Sequence, residues 1–125
     1  MIVGLGIDLT EVKRVRQAIE KYGDRFLNRI YTPQEIAYVS RKANPWERYA
    51  ARFAAKEAGM KAIGSGWKQG VTWRDFEVVN LPGGKPTLRL SGVASQLAAR
   101  LGVRQVSVSL THTSSFGMAF VILEG

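Results

Sequence analysis

The sequence predicts an α+β fold, a small antiparallel sheet packed against one long helix. Three observations carry that reading. Strand-like apolar runs open and close the chain, at 1–10 and near 116–123, while helical periodicity is confined between them. A stretch beginning near Trp46 is rich in Ala, Lys, Glu and Met, which favour helix, and it runs unbroken to the clustered glycines of Gly64-Ser65-Gly66. No Pro/Ser linker, low-complexity tract or internal repeat divides the 125 residues, so they are expected to form one domain, 1–125, large enough to bury roughly two-thirds of its unfolded surface.

Taken in order, Met1 to Thr10 reads as a strand that ends in a carboxylate, Asp8. A helix follows over about 10–22 with Thr10 as its N-cap. Val12, Val15, Ile19 and Tyr22 make its apolar stripe, and Lys13, Arg14, Gln17 and Lys21 its basic outer side. Arg25 and Arg29 extend the positive charge past the Gly23 break. Thr32-Pro33-Gln34-Glu35 has the form of a capping box, and the helix it opens ends before Asn44-Pro45. On the long helix, Trp46, Tyr49 and Phe53 recur at core spacing; aromatics that stack nucleic-acid bases belong rather on an exposed sheet or loop. Shorter β-like pieces are expected at about 72–79 and 87–90, joined by the Pro82-Gly83-Gly84-Lys85-Pro86 turn. Ser91 caps a helix over 92–101, and strands near 105–110 and 116–123 bracket Thr111-His112-Thr113-Ser114-Ser115.

Composition narrows the function without naming it. With no cysteine, disulfides and thiolate chemistry are excluded. No apolar run approaches the ~20 residues of a membrane span, and the N-terminus lacks a leader-like basic region and cleavage site, so a cytoplasmic protein is expected. Lys and Arg number 18 against 10 Asp and Glu, a formal charge of +8 and a pI near 10.2. Such an excess attracts polyanions. Nucleic acid is the commonest partner of a small basic domain, and an acidic protein or a polyphosphate cofactor accounts for the charge equally well.

The chemistry centres on the long helix. At 100° per residue, Phe53, Glu57, Met60 and Lys61 share one broad face, so an acid and a base lie beside two large apolar residues. One reading is an i,i+4 surface pair. The other joins Glu57 to Asp8 as half of a divalent metal site, with Asp8 held where the backbone leaves the core; a loop acid, or the first-turn charge of the next helix, explains Asp8 as well. The lone His112 has no Cys or second His with which to build a zinc site.

Gly6-Ile7-Asp8 with Arg14 six positions on, and Phe53-x-x-Lys56-Glu57-Ala58-x-x-Lys61-Ala62, together resemble the two signature motifs of the 4′-phosphopantetheinyl transferase superfamily. Size and layout resemble its short, trimeric type. The likeness runs almost end to end, through Gly64-Ser65-Gly66, Gly84-Lys85-Pro86 and Ser109-Leu110-Thr111-His112-Thr113. It implies the family fold, in a homotrimer with active sites in clefts between subunits. It further implies transfer of the 4′-phosphopantetheine arm from coenzyme A to a serine of apo acyl carrier protein, with Mg²⁺, releasing 3′,5′-ADP in fatty acid biosynthesis. The partners implied are coenzyme A and an acidic carrier protein, not nucleic acid or a membrane.

Roles follow by motif position. Asp8 and Glu57 hold the metal, and Mg²⁺ takes its other ligands from pyrophosphate and water, so its binding without coenzyme A is expected to be weak. Glu57 and Lys61 are the catalytic pair, Lys61 neutralising the pyrophosphate; the serine proton goes to a water that Glu57 activates at the metal, or to Glu57 itself. Arg52 and Lys56 contact the 3′-phosphate or the partner. Gly64, Ser65 and Gly66 approach phosphate or adenine through their backbone amides, unless they only terminate the helix. Lys85 and Pro86 flank the nucleotide from the other side of the cleft, and Thr111 and His112 contact phosphate or ribose. Arg14, with Lys21 and Arg25, receives the carrier protein. Gly59 inside the helix departs from helix preference by ~1 kcal/mol and leaves room for close packing. Two rivals remain: a basic RNA-binding domain, and a metal-dependent nucleotide hydrolase using the same two carboxylates.

Overall fold

A computed structural model describes residues 1–65 and 69–125. Strand β1 (Ile2–Glu11) runs into α1 (Val12–Tyr22), followed by α2 (Asp24–Ile30), α3 (Pro33–Ser40) and the long α4 (Pro45–Ile63). A 3-10 turn at Trp73–Asp75 leads to a hairpin of β2 (Phe76–Asn80) and β3 (Pro86–Leu90), then to α5 (Gly92–Arg100), β4 (Gln105–His112) and β5 (Phe116–Glu124). β1, β5 and β4 pair antiparallel in that spatial order, so the first and last strands of the chain lie side by side. α4 packs across β1 and β5, as the α+β expectation requires.

Element boundaries differ from the sequence reading where tertiary pairing overrides local signals. Thr10 is not an N-cap. Leu9, Thr10 and Glu11 continue to pair with Met118, Gly117 and Phe116, so β1 extends to Glu11 and α1 begins at Val12 without a side-chain cap. Asp8 therefore lies within the strand, opposite Ala119, and not at its end. Tyr22 is 52% exposed and does not complete the apolar stripe of α1. The capping box at Thr32 forms as read: its side chain accepts from the Glu35 amide, and the Glu35 carboxylate from the Thr32 amide.

From Gly4 to Thr10 the even-numbered residues of β1 face α4, and the two backbones lie in direct contact. A Cβ at Gly6 would stand 1.8 Å from the Ala58 carbonyl oxygen, which only glycine avoids. The helix answers with its own small residues, Ala54, Ala55 and Ala58, all fully buried. Gly59 has the same explanation on another side, since the Phe76 ring lies 2.6 Å from where its Cβ would be. Away from α4 the sheet is apolar and uncovered: Leu5, Ile7, Leu9, Phe116, Met118 and Phe120 are between 37% and 60% exposed.

Lys56 lies entirely inside. Its Nζ donates to Glu35 Oε1 at 2.7 Å, to the Phe76 carbonyl at 2.6 Å and to the Trp73 carbonyl at 3.3 Å, using all three protons. Burial pulls its pKa down, and Glu35 opposes that shift. Glu35 in turn accepts from the amides of Thr32 and Val78, so one ion pair ties α3, α4 and β2 together. Removing one member strands a buried charge. Lys56→Met is expected to cost about 3–5 kcal/mol, read from the urea midpoint, and Lys56→Met with Glu35→Gln to cost less than the two separate losses combined.

Candidate active site

Asp8 reaches the inner side of the sheet because residues 6, 8 and 10 of β1 all face α4. Its Oδ1 accepts from Lys61 Nζ at 3.1 Å, and its Oδ2 from Thr10 Oγ1 at 2.8 Å. Lys61 also donates to the Ile7 carbonyl at 3.0 Å. The ion pair that forms therefore crosses from α4 to β1. Glu57 stands one helical turn before Lys61. Burial pushes the Glu57 carboxyl above the ordinary glutamate range and the charge of Asp8 adds to the rise, while Lys61 and a hydrogen bond with Trp73 oppose it. Two carboxylates thus line one cavity, and Lys61 pairs with Asp8.

Asp8, Glu57 and Arg14 line a cavity of about 390 Å³ whose apolar walls include Val15, Phe26 and Phe53. Among the described residues no group of three or more His, Cys, Asp or Glu is placed to hold a metal by itself. Two facing carboxylates nevertheless fit a hard dication such as Mg²⁺, which keeps several waters and takes phosphate oxygens as further ligands.

A second hollow, of about 210 Å³, is lined by Arg48, Arg52, Asn80, Pro86 and His112. Arg52 is 4% exposed; its Nη2 donates to Asn80 Oδ1 at 2.8 Å and its guanidinium lies 4.8 Å from the Tyr38 ring centre. The Nε–H groups of Arg48 and Arg52 are buried without a hydrogen-bond partner. Such groups call for an acceptor, and an anion supplies the strongest one. Glu47 holds His112 at the rim, with Nδ1 to Oε2 at 2.9 Å. This hollow and the carboxylate cavity share no lining residue. Asp8 is on β1 and His112 on β4, at opposite edges with β5 between them.

The remaining candidates are dispersed. Lys56 is corrected: a fully buried ammonium held by Glu35 and two carbonyls does not meet a phosphate or a partner. Thr111 pairs with Met118 on the outer face of the sheet, opposite to His112, because neighbouring strand residues point to opposite sides. Gly64 caps α4 at φ 86° and, with the buried Ser65, borders a third hollow against Leu97 and Arg100. Gly66 lies outside the described residues. Lys85 is exposed in the β2–β3 turn. Arg14 stands at the rim of the carboxylate cavity, and Arg25 borders an adjoining hollow that shares Phe26, with Lys21 against Tyr22. Sequence reasoning missed Arg48, although its i,i+4 spacing from Arg52 places both on one helix face. It also missed Trp73, whose hydrogen bond with Glu57 has no local sequence signature.

The pH behaviour follows from Glu57. Its carboxyl pKa is higher folded than unfolded, so its contribution to stability is present below the unfolded value and is lost as pH rises through the folded one. Glu57→Gln removes that loss. It is expected to raise stability at neutral pH by up to about 1 kcal/mol after solvent screening, with the gain vanishing below the ordinary glutamate value of 4.5. Thermal unfolding of both proteins across that range checks it.

Comparison with known proteins agrees with this geometry. Residues 4–121 match the family described as the 4′-phosphopantetheinyl transferase superfamily. The chain is 67% identical over 124 residues to the holo-[acyl-carrier-protein] synthase of Solibacter usitatus, covering 99% of each chain. Its fold is similar to the crystal structure of holo-[acyl-carrier-protein] synthase from Neisseria meningitidis, with a TM-score of 0.90, 34% identity and full coverage of both chains. It is also similar to the enzyme from Bacillus anthracis in complex with CoA (3′,5′-ADP), with a TM-score of 0.80, 36% identity, and 98% of this chain and 96% of that one covered. With this likeness along nearly the whole chain, the protein belongs to the 4′-phosphopantetheinyl transferase superfamily, among its holo-[acyl-carrier-protein] synthases.

Proposed function

We propose that the chain works as a single-domain cytoplasmic transferase of fatty acid biosynthesis. It moves the 4′-phosphopantetheine arm of coenzyme A to a serine of an acidic apo acyl carrier protein, depends on Mg²⁺ and releases 3′,5′-ADP. The observation that carries this reading is the meeting of Asp8, Glu57 and Lys61 from segments 53 residues apart. The partner's serine Oγ forms a new bond to the phosphorus that bears the pantetheine arm. The bond from that phosphorus to the bridging oxygen breaks, and the oxygen leaves with 3′,5′-ADP. Such a transfer depends on alignment and on neutralising charge as it develops. Asp8 and Glu57 would hold Mg²⁺, which when bound offsets the negative charge of the pyrophosphate.

The other steps belong to side chains of this protein. Glu57 takes the serine proton, directly or through one water. Lys61, 56% exposed at the end of a long stem, turns to the departing phosphate. Arg48, Arg52 and His112 receive the 3′-phosphate, and the unpartnered buried Nε–H groups of the two arginines support that role. Pro86 and Lys85 flank the nucleotide, and the backbone at Gly64 and Ser65 approaches it. Arg14, Lys21 and Arg25 form one exposed basic side along α1 and α2, complementary to an acidic carrier.

A homotrimer with shared clefts fits two further observations. The carboxylate cavity borders one edge of the sheet, at β1, and the arginine hollow the other, where His112 ends β4, so subunits set edge to edge would bring one of each into a single cleft. The six exposed apolar residues of β1 and β5 form a patch of the kind that subunits cover.

Intact-mass analysis of an apo acyl carrier protein incubated with this protein, Mg²⁺ and coenzyme A should show the gain of one phosphopantetheine arm, abolished by EDTA. Asp8→Ala and Glu57→Ala should each lower kcat at least about a hundredfold. No mass gain with several carriers would overturn the assignment. Co-expression of Asp8→Ala with His112→Ala chains should recover part of the activity that each variant lacks alone, since some clefts then combine two intact halves. No recovery would exclude shared sites.

A further inference from the structure

Both partners of Lys61 in the substrate-free protein belong to β1. Nζ donates to the Ile7 carbonyl at 3.0 Å and to Asp8 Oδ1 at 3.1 Å. The other Asp8 oxygen is taken by the Thr10 hydroxyl. A dication on the same carboxylate would stand within a few ångström of the ammonium, and the two repel. An ammonium also has no lone pair to offer a metal, so Lys61 cannot become a ligand while it stays charged. The two cations therefore compete for one carboxylate. Lys61 is the mobile one: its side chain is 56% exposed, whereas that of Asp8 is 18% exposed and fixed on a paired strand.

We infer that Lys61 is the resident counter-ion of Asp8 and competes with the divalent metal for it. Coenzyme A, by offering Lys61 a phosphate, frees Asp8 and makes metal and coenzyme A bind cooperatively. This rests on the assignment of Asp8 and Glu57 as the metal pair. The coupling is reciprocal, so the metal tightens coenzyme A by the same factor. Lys61 thus has two successive partners, Asp8 before substrate arrives and phosphate afterwards, and its stem is long enough to serve both. Metal held without substrate would leave Lys61 without an anion; the pair avoids that state.

Titration with Mn²⁺ alone, and with Mn²⁺ plus coenzyme A, followed by calorimetry or by the spin resonance of free Mn²⁺, tests this without any turnover. Wild type should bind Mn²⁺ weakly alone and more tightly with coenzyme A. Lys61→Met, which keeps the stem and removes the charge, should bind Mn²⁺ alone about fivefold or more tightly than wild type, with a smaller gain from coenzyme A. Lys61→Arg, which keeps the charge, should bind Mn²⁺ alone as wild type does. If Lys61→Met binds Mn²⁺ alone no better than wild type, while wild type still binds it with coenzyme A, the competition is refuted and the metal pair stands. If neither protein binds Mn²⁺ even with coenzyme A, the metal pair fails and the inference with it.

Discussion

A side chain on Gly6 would collide with the backbone of Ala58, so β1 can lie against α4 only because residue 6 has none. The rest of the carboxylate site depends on that contact. With the two backbones touching, the next inward residue of the strand, Asp8, comes within hydrogen-bond distance of a lysine one turn further along the helix. A methyl group at position 6 would push the strand outward and draw Asp8 away from Lys61 and Glu57. Packing and chemistry here share one distance, and a buried helix lined with alanine sets it.

Lys56 and Glu57 are neighbours in the motif, yet the helix turns them to opposite duties. Lys56 points inward and spends its charge on Glu35, fixing α4 against α3 and β2. Glu57 points to the cavity, where partial burial and the charge of Asp8 raise its pKa. The buried pair is one of specificity as much as stability, because it allows one rotation of α4 and so aims Glu57 and Lys61. Trp73 links the two, with its carbonyl taking a Lys56 proton and its side chain opposing the rise of the Glu57 pKa.

The sheet divides its labour by face. Toward α4 it presents Gly6, Asp8 and Thr10, and on β5 Ala119, Val121 and Leu123; away from α4 it presents a row of large apolar residues to solvent. An isolated protomer gains nothing from that outer face. A contiguous exposed apolar face of this kind marks an interaction surface.

Much of this was legible from residues alone. The long helix, its end at Gly64, the capping box at Thr32 and the alternation of β4 and β5 all depend on interactions within a few residues, which a sequence carries directly. The motif resemblance also brought Asp8, Glu57 and Lys61 forward, and the structure brings them together. Only the tertiary structure decided that Thr10 continues a strand, because its pairing partner is Gly117, more than a hundred residues away. The same holds for Lys56, whose spacing suits solvent as well as core until Glu35 arrives from another helix. Lys61 completes the case: local spacing offered it Glu57, and the fold gave it Asp8, since a helix-to-strand contact is invisible to any rule that counts along the chain.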